Sequence, residues 1–287
     1  MGPSLLHRAL TFCCVALCLW AFWLEPASLV VHETTIELPR WPLELDGLRV
    51  AVLSDLHVGS PYNGPDRLRE LIAETNAQRP DITLLAGDFV IQGVLGGSFV
   101  EPERIAQELQ ALQAPLGVYA VMGNHDWWLD EPWTLVEAFR VHCLPLLHNE
   151  AVAIDAAVPF WLAGIGDWTD GAPDPQRAVA GVPEGAPLLA FTHNPDVFPH
   201  VPPQVDLTIA GHTHGGQVRL PFFGPLVVPS SYGQRYAAGL IEEDGKRLFV
   251  TTGVGLSILP VRFGVPPEIS VLVLRAPAQK SPPARSQ

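Results

Sequence analysis

Asp55 and His57 stand two residues apart at the end of an apolar run, Val50-Ala51-Val52-Leu53. In extended chain both side chains would leave the same side of the strand. A carboxylate and an imidazole projecting together are two ligands for one divalent cation. Four further runs end in the same kind of residue. Ile82 to Ala86 leads through Gly87 to Asp88, and Val118 to Val121 leads to Gly123-Asn124-His125-Asp126. Leu188 to Phe191 leads to Thr192-His193, and Leu207 to Ala210 leads to Gly211-His212-Thr213-His214, which repeats the two-residue spacing. Each residue alone has an ordinary reading: Asp88 and Asn124 suit turns, and a single His193 suits a satisfied core position. Oxygen and imidazole donors closing five runs in turn point instead to a shared metal site. Cys13, Cys14 and Cys18 lie in the N-terminal apolar segment, which leaves Cys143 alone in the body. The body therefore has no internal disulfide and no thiolate cluster, so its metal ligands must be His, Asp, Glu or Asn.

The runs that carry these residues alternate with helical periodicity. Leu68, Leu71, Ile72 and Thr75 predict a helix over 66–79, stopped by Pro80, and Ile105, Leu109 and Leu112 predict another over 102–112. A third is expected near 132–141. Strand, helix, strand, helix, strand is the order of a largely parallel sheet, whose sites lie at the carboxyl ends of its strands. Beyond it the chain turns to short apolar runs broken by Gly and Pro: 152–154, 160–165, 188–192, 207–210, 248–252 and 269–274. This half reads as a second sheet. Residues 33–45, with Pro39 and Pro42, suit an edge strand.

The formal net charge of −13 makes the chain a poor general binder of nucleic-acid backbones, so no nucleic-acid partner is expected. Ala9 to Leu24 carries no charge over 16 residues, a little short of the roughly 17–25 of a membrane span. A cleaved signal peptide competes with an anchor here. Trp20, Phe22 and Trp23 crowd the place where small residues would mark cleavage, and Trp20 and Trp23 suit a membrane interface. A membrane anchor over 1–32 is the favoured expectation. Arg8 and the amino terminus, the nearest positive charges, would put the body outside the cytoplasm. The body is expected over 33–275, with a disordered tail at 276–287.

Asp-x-His, Gly-Asp, Gly-Asn-His-Asp, His and Gly-His-x-His, in that order, resemble the calcineurin-like metallophosphoesterase superfamily over about residues 48–274. The stretch from Gly211 to Leu220 further resembles a bacterial subfamily with an N-terminal signal or anchor, related to UDP-2,3-diacylglucosamine hydrolases of lipid A synthesis. The resemblance implies an α/β fold, a two-sheet sandwich in four layers. It implies a dinuclear site, with Asp55, His57, Asp88 and His214 on the first ion, Asp88, Asn124, His193 and His212 on the second, and Asp88 bridging. His125 would act on the leaving oxygen or the phosphoryl group, oriented by Asp126. Two ions about 3.5–4 Å apart would clamp the phosphoryl group and generate the attacking hydroxide. Imidazole-rich ligation suits Mn, Fe, Zn or Ni rather than Mg alone. The substrate would be a phosphorylated small molecule or lipid. A UDP-linked lipid would require a site facing the cytoplasm, against the charge-based orientation. From another class, a metal-bearing scaffold that binds a phosphate without turnover is the alternative; an intact His125-Asp126 pair argues against it. Arg219 is a weak candidate for the substrate phosphate, and Gly215 and Gly216 for tight backbone beside His214. Trp127 and Trp128 could line a pocket or pack.

Overall fold

The computed structural model describes residues 5–278, so the tail expected at 276–287 lies outside the described residues from 279 onward. An N-terminal helix, α1 (Leu5–Leu24), is followed by β1 (Val30–Glu37), β2 (Leu48–Leu53), α2 (Pro65–Ala77), β3 (Ile82–Ala86), α3 (Pro102–Leu109), β4 (Val118–Val121), α4 (Asn124–Trp127) and α5 (Trp133–Val141). The second half holds β5 (Glu150–Ile154), β6 (Phe160–Gly164), α6 (Pro175–Val179), β7 (Leu188–Phe191), β8 (Leu207–Ala210), the short β9 (Arg219–Leu220) and β10 (Gly224–Pro225), then β11 (Gly239–Glu243), β12 (Lys246–Val250) and β13 (Glu268–Arg275).

One sheet has the order β1-β13-β2-β3-β4 and the other β11-β12-β8-β7-β6-β5. In the first, β2, β3 and β4 run parallel. In the second, β12, β8, β7 and β6 are parallel and the edge strands antiparallel. The sheets face each other across one apolar layer. Val50 and Val52 of β2 and Ile82 and Leu84 of β3 share it with Leu162, Leu189, Leu207, Ile209 and Phe249 from the second sheet. On the outer face of the first sheet, Leu68, Leu71 and Ile72 of α2, Ile105 and Leu109 of α3, and Leu135 and Phe139 of α5 cover Leu53, Leu85 and Ala120. Ala178 and Val179 of α6 cover Leu188 and Ala190 on the far side. The order is helix, sheet, sheet, helix. Strands buried on both faces read as continuous apolar runs, which is why they were legible without alternation.

Three expectations change. The run 269–274 belongs to the first sheet, not the second: β13 returns between β1 and β2, antiparallel to β2 and parallel to β1. A fully buried run has the same composition in either sheet, so which sheet takes it is decided by the chain path. The helix predicted over 66–79 is Pro65–Ala77. Pro80 disfavours helical backbone at the residue before it, and Arg79 adopts φ 50° instead. The N-terminal helix extends past the uncharged stretch to 20 residues by taking in Leu5 to Arg8. At 1.5 Å per residue that is about 30 Å, long enough and apolar enough to cross a bilayer.

Candidate metal centre

Asp55, His57, Asp88, Asn124, His125, His193, His212 and His214 all follow carboxyl ends of strands β2, β3, β4, β7 and β8, and all converge at one end of the two sheets. Three overlapping groups place ligand atoms within 4.8 Å of one another: Asp55 with His57 and His214, His57 with Asp88 and His125, and Asp88 with His193 and His212. Asp88 lies between the outer groups, its Oδ2 3.5 Å from Nε2 of His57 and 3.2 Å from Nε2 of His193. His214 Nε2 lies 3.3 Å from Asp55 Oδ1.

The route to this convergence differs from the extended-strand expectation. Asp55, His57, Asp88, His212 and His214 all have left-handed backbone, with φ of 55°, 39°, 58°, 71° and 51°. For residues with a Cβ that conformation costs on the order of 1–3 kcal/mol each. The surroundings hold them there. Asp55 N donates to Gly87 O (3.0 Å), His57 N to Asp88 O (2.9 Å) and Gly255 N to Asp55 O (2.7 Å). His212 N donates to Asp55 Oδ2 (3.0 Å), which joins the two sheets at the centre. The glycines before the donor residues leave room for this. A Cβ on Gly123 would lie 2.2 Å from Asp88 Oδ1, and one on Gly211 would lie 1.9 Å from Ser54 Oγ and 2.7 Å from Asp55 Oδ2.

The tautomers are set by the backbone. His57 Nδ1 sits 3.1 Å from Val90 O and His193 Nδ1 2.8 Å from Ala86 O. A carbonyl accepts only from N–H, so Nδ1 carries a proton in each ring and Nε2 is the nitrogen turned inward, as in a metal-ligating histidine. Burial lowers the pKa of His57 and His125. Burial, with His57 and Arg262 nearby, takes His214 well below its ordinary value. Burial and His193 take His212 down to about 4. These imidazoles are neutral at pH 7, the form that ligates. Burial also opposes charge on His193 and Asp88, yet their mutual attraction raises His193 well above and holds Asp88 well below the usual values.

A cation fits this donor set. Asp55 Oδ1 and Asn124 Oδ1 are buried with no hydrogen-bond partner. Ring nitrogens also face each other at 3.3 Å (His57 Nε2 and His214 Nε2) and 3.1 Å (His193 Nε2 and His212 Nδ1). Orphaned buried acceptors are costly, on the order of 1–3 kcal/mol apiece, and bound cations would satisfy them.

Asp126 takes a different place from the one expected. Its Oδ2 accepts from Gly123 N (2.9 Å) and Asp88 N (2.8 Å), and its Oδ1 from Phe89 N (2.8 Å) and Val90 N (3.2 Å). It makes no bond to the His125 ring. At the third position of α4 its carboxylate folds back over the helix start and ties the Asp88 loop to the Asn124 loop. Burial and neighbouring Asp88 push its pKa up to about 7 against those donors. His125 is set by its own backbone, which donates to Asp88 Oδ1 at 2.9 Å, and by the Trp128 ring, 4.7 Å away. Arg219 lies exposed on the β9–β10 ribbon and bonds to no cluster side chain. Gly215 and Gly216, with φ of 58° and 80°, do shape the backbone after His214.

One residue escaped the sequence reading. Arg262 is fully buried; its guanidinium donates to Gly255 O (2.7 Å), Thr252 O (3.1 Å) and Val265 O (3.1 Å) and lies 3.4 Å from His214 Nδ1. Burial brings its pKa down to about 10, still charged at pH 7. Its only signal is being the lone charge between Arg247 and Glu268. Asp167, buried with Oδ1 unpartnered, binds Thr169 N and Asp170 N through Oδ2.

A family model for calcineurin-like phosphoesterases matches residues 48–216, the segment that carries every residue of the cluster. The chain belongs to that family. It is thus a metal-dependent phosphoester hydrolase. The YkuE metallophosphoesterase of Bacillus subtilis is 27% identical over 260 residues, covering 90% of this chain and 89% of its own. The UDP-2,3-diacylglucosamine pyrophosphatase LpxG of Chlamydia trachomatis is 28% identical, covering 88% and 91%. The phosphodiesterase YaeI of Escherichia coli is 30% identical, covering 79% and 82%.

Proposed function

We propose that this chain is a dinuclear phosphoesterase held at a membrane by α1, with a lipid-linked phosphate compound such as UDP-2,3-diacylglucosamine as substrate. The observation that carries the dinuclear reading is Asp88, between two donor groups and within 3.5 Å of an imidazole from each. Asp55, His57, Asp88 and His214 would hold one ion, and Asp88, Asn124, His193 and His212 the other. Bound divalent ions supply Lewis-acid polarisation of the phosphoryl oxygens and a hydroxide nucleophile at neutral pH. Mn, Fe, Zn and Ni all suit this set of imidazoles and oxygens.

The chain's own residues do the rest. Asp88 and Asp55 set the charge of the pocket. His125, hung from Asp88 through its backbone N–H, turns its ring over the cluster and hydrogen-bonds the phosphoryl group or the leaving oxygen. Trp128, 48% exposed, walls the open side of that ring. Asp126 keeps the two loops in register. The lipid-linked substrate rests on α1 and on likeness to LpxG.

Full-length chain in detergent, assayed on bis(p-nitrophenyl) phosphate with Mn, Fe, Zn or Ni in turn, tests the hydrolase. Turnover with at least one ion and about two ions per chain is expected. No turnover with any of them would leave the phosphate-binding scaffold as the better reading. A reporter-accessibility assay tests the substrate: a body exposed outside the cytoplasm counts against the UDP-linked lipid.

A further inference from the structure

The chemistry above leaves an apolar cavity unused. It holds about 350 Å³ and opens beside His214, with Val218, Leu226, Val227, Ile258 and Leu259 on its walls. That volume falls in the range of small-ligand sites, roughly 300–1,000 Å³. Its rim is apolar and open: Val227 is 74% exposed and Ile258 71%. A third loop joins it where Leu95 N donates to Ile258 O at 3.1 Å, and the Leu95 side chain is also exposed. Contiguous exposed apolar surface of this kind marks an interface with a partner or a membrane.

What covers it is indicated by α1. The helix does not hang from a tether; its last turn is built into the segment that walls the cavity. Arg262 N donates to Ala21 O (3.0 Å) and Val265 N to Glu25 Oε1 (2.6 Å). Tyr62 Oη donates to Phe22 O (2.8 Å), and Arg67 donates to Ser28 O (2.9 Å). Glu25 is buried. The path of the chain then sets which end of the body the helix leaves. Val30, the first residue of β1, is opposite Glu268, and Ser270 two residues later is opposite Val52, next to the carboxyl end of β2. Asp55 follows that end. The helix therefore emerges at the metal-centre end of the sheets, beside the apolar rim.

We propose that the rim lies in the membrane interface and that the cavity takes an acyl chain of the substrate, drawn from the leaflet in which the end of α1 is seated. The phosphate group to be cleaved then lies over the cluster while one chain fills the space between Val227, Ile258 and Leu259. This proposal rests on the reading of the chain as a membrane-held phosphoesterase.

The test uses the full chain in vesicles of phosphatidylethanolamine and phosphatidylglycerol, with Cys13, Cys14, Cys18 and Cys143 replaced by Ala. An environment-sensitive fluorophore goes on Val227→Cys, on Ile258→Cys, or on Ala157→Cys, which sits beside Leu48 and Asp81 at the amino ends of β2 and β3. Nitroxide-bearing lipids should quench the first two at least threefold more than the third. Equal quenching at all three places the rim in water, or under a second copy or soluble partner, and overturns the proposal. In a second arm, Ile258→Asp should lose at least tenfold more turnover on UDP-2,3-diacylglucosamine than on bis(p-nitrophenyl) phosphate. Parallel losses on both would overturn the acyl site. If the unsubstituted chain hydrolyses neither, the hydrolase reading has failed, and quenching still reports on the surface by itself.

Discussion

The two sheets contribute unlike things to the metal centre. The loops after β2, β3 and β4 bring both carboxylates of the cluster and the amide: Asp55, Asp88 and Asn124. The loops after β7 and β8 bring only imidazoles: His193, His212 and His214. The first set is wired into backbone. Asp88 Oδ1 holds His125 N, Asp55 Oδ2 holds His212 N, and the carboxylate of Asp126 gathers four N–H groups from two loops. The second set leans on the first: His193 Nδ1 donates to Ala86 O and His212 N to Asp55 Oδ2. The lesson is that the first sheet supplies carboxylate charge and framework together, while the second supplies imidazoles that can be removed with less damage.

That contrast can be broken most severely at Asp88. Asp88→Ala should lose both ions and at least about a thousandfold in turnover, checked by metal analysis and steady-state kinetics. An ion count equal to the parent would end the bridging role. His125→Ala should keep the ions and lose about 10²–10⁴-fold in kcat; full activity would remove His125 from the chemistry. His212→Ala, from the second sheet, should lose one ion at limiting metal. As a direct ligand its loss should reach at least the roughly 10–100-fold in affinity seen for residues that merely support a ligand, and be recovered by added Mn. Loss of both ions there would erase the asymmetry between the sheets. Asp126→Asn turns an amide NH₂ toward backbone donors and should cost about 2 kcal/mol, or roughly 5 °C in Tm. Thermal unfolding of the metal-free chain checks it; an unchanged Tm would mean the two loops do not need this tie.

Much of this was legible because the donors sit where periodic runs stop. Buried strands and amphipathic helices announce themselves by composition, and Asp55, Asp88, His193 and His212 each follow one. Left-handed backbone does not announce itself. Asp55 and His57 were expected to converge from extended chain, and they converge instead through two left-handed residues held by Gly87 O and Asp88 O. His212 and His214 show the same limit: their shared spacing hides that they serve different groups. Asp126 looked like the partner of its neighbour His125, whereas a position in the first turn of a helix favours backbone N–H groups. Arg262 could not be read at all. A lone Arg in an irregular segment looks solvated until the fold wraps carbonyls around it. The stretch 269–274 was legible as a strand but not as a member of the first sheet, since membership depends on where the chain returns.

The central claim is a pair of ions sharing Asp88, and anomalous scattering from crystals of the full chain grown with Mn measures it directly. Two peaks about 3.5–4 Å apart are expected, one beside Asp55, His57 and His214, the other beside Asn124, His193 and His212, with Asp88 between. A single peak, or two that do not both touch Asp88, would contradict it.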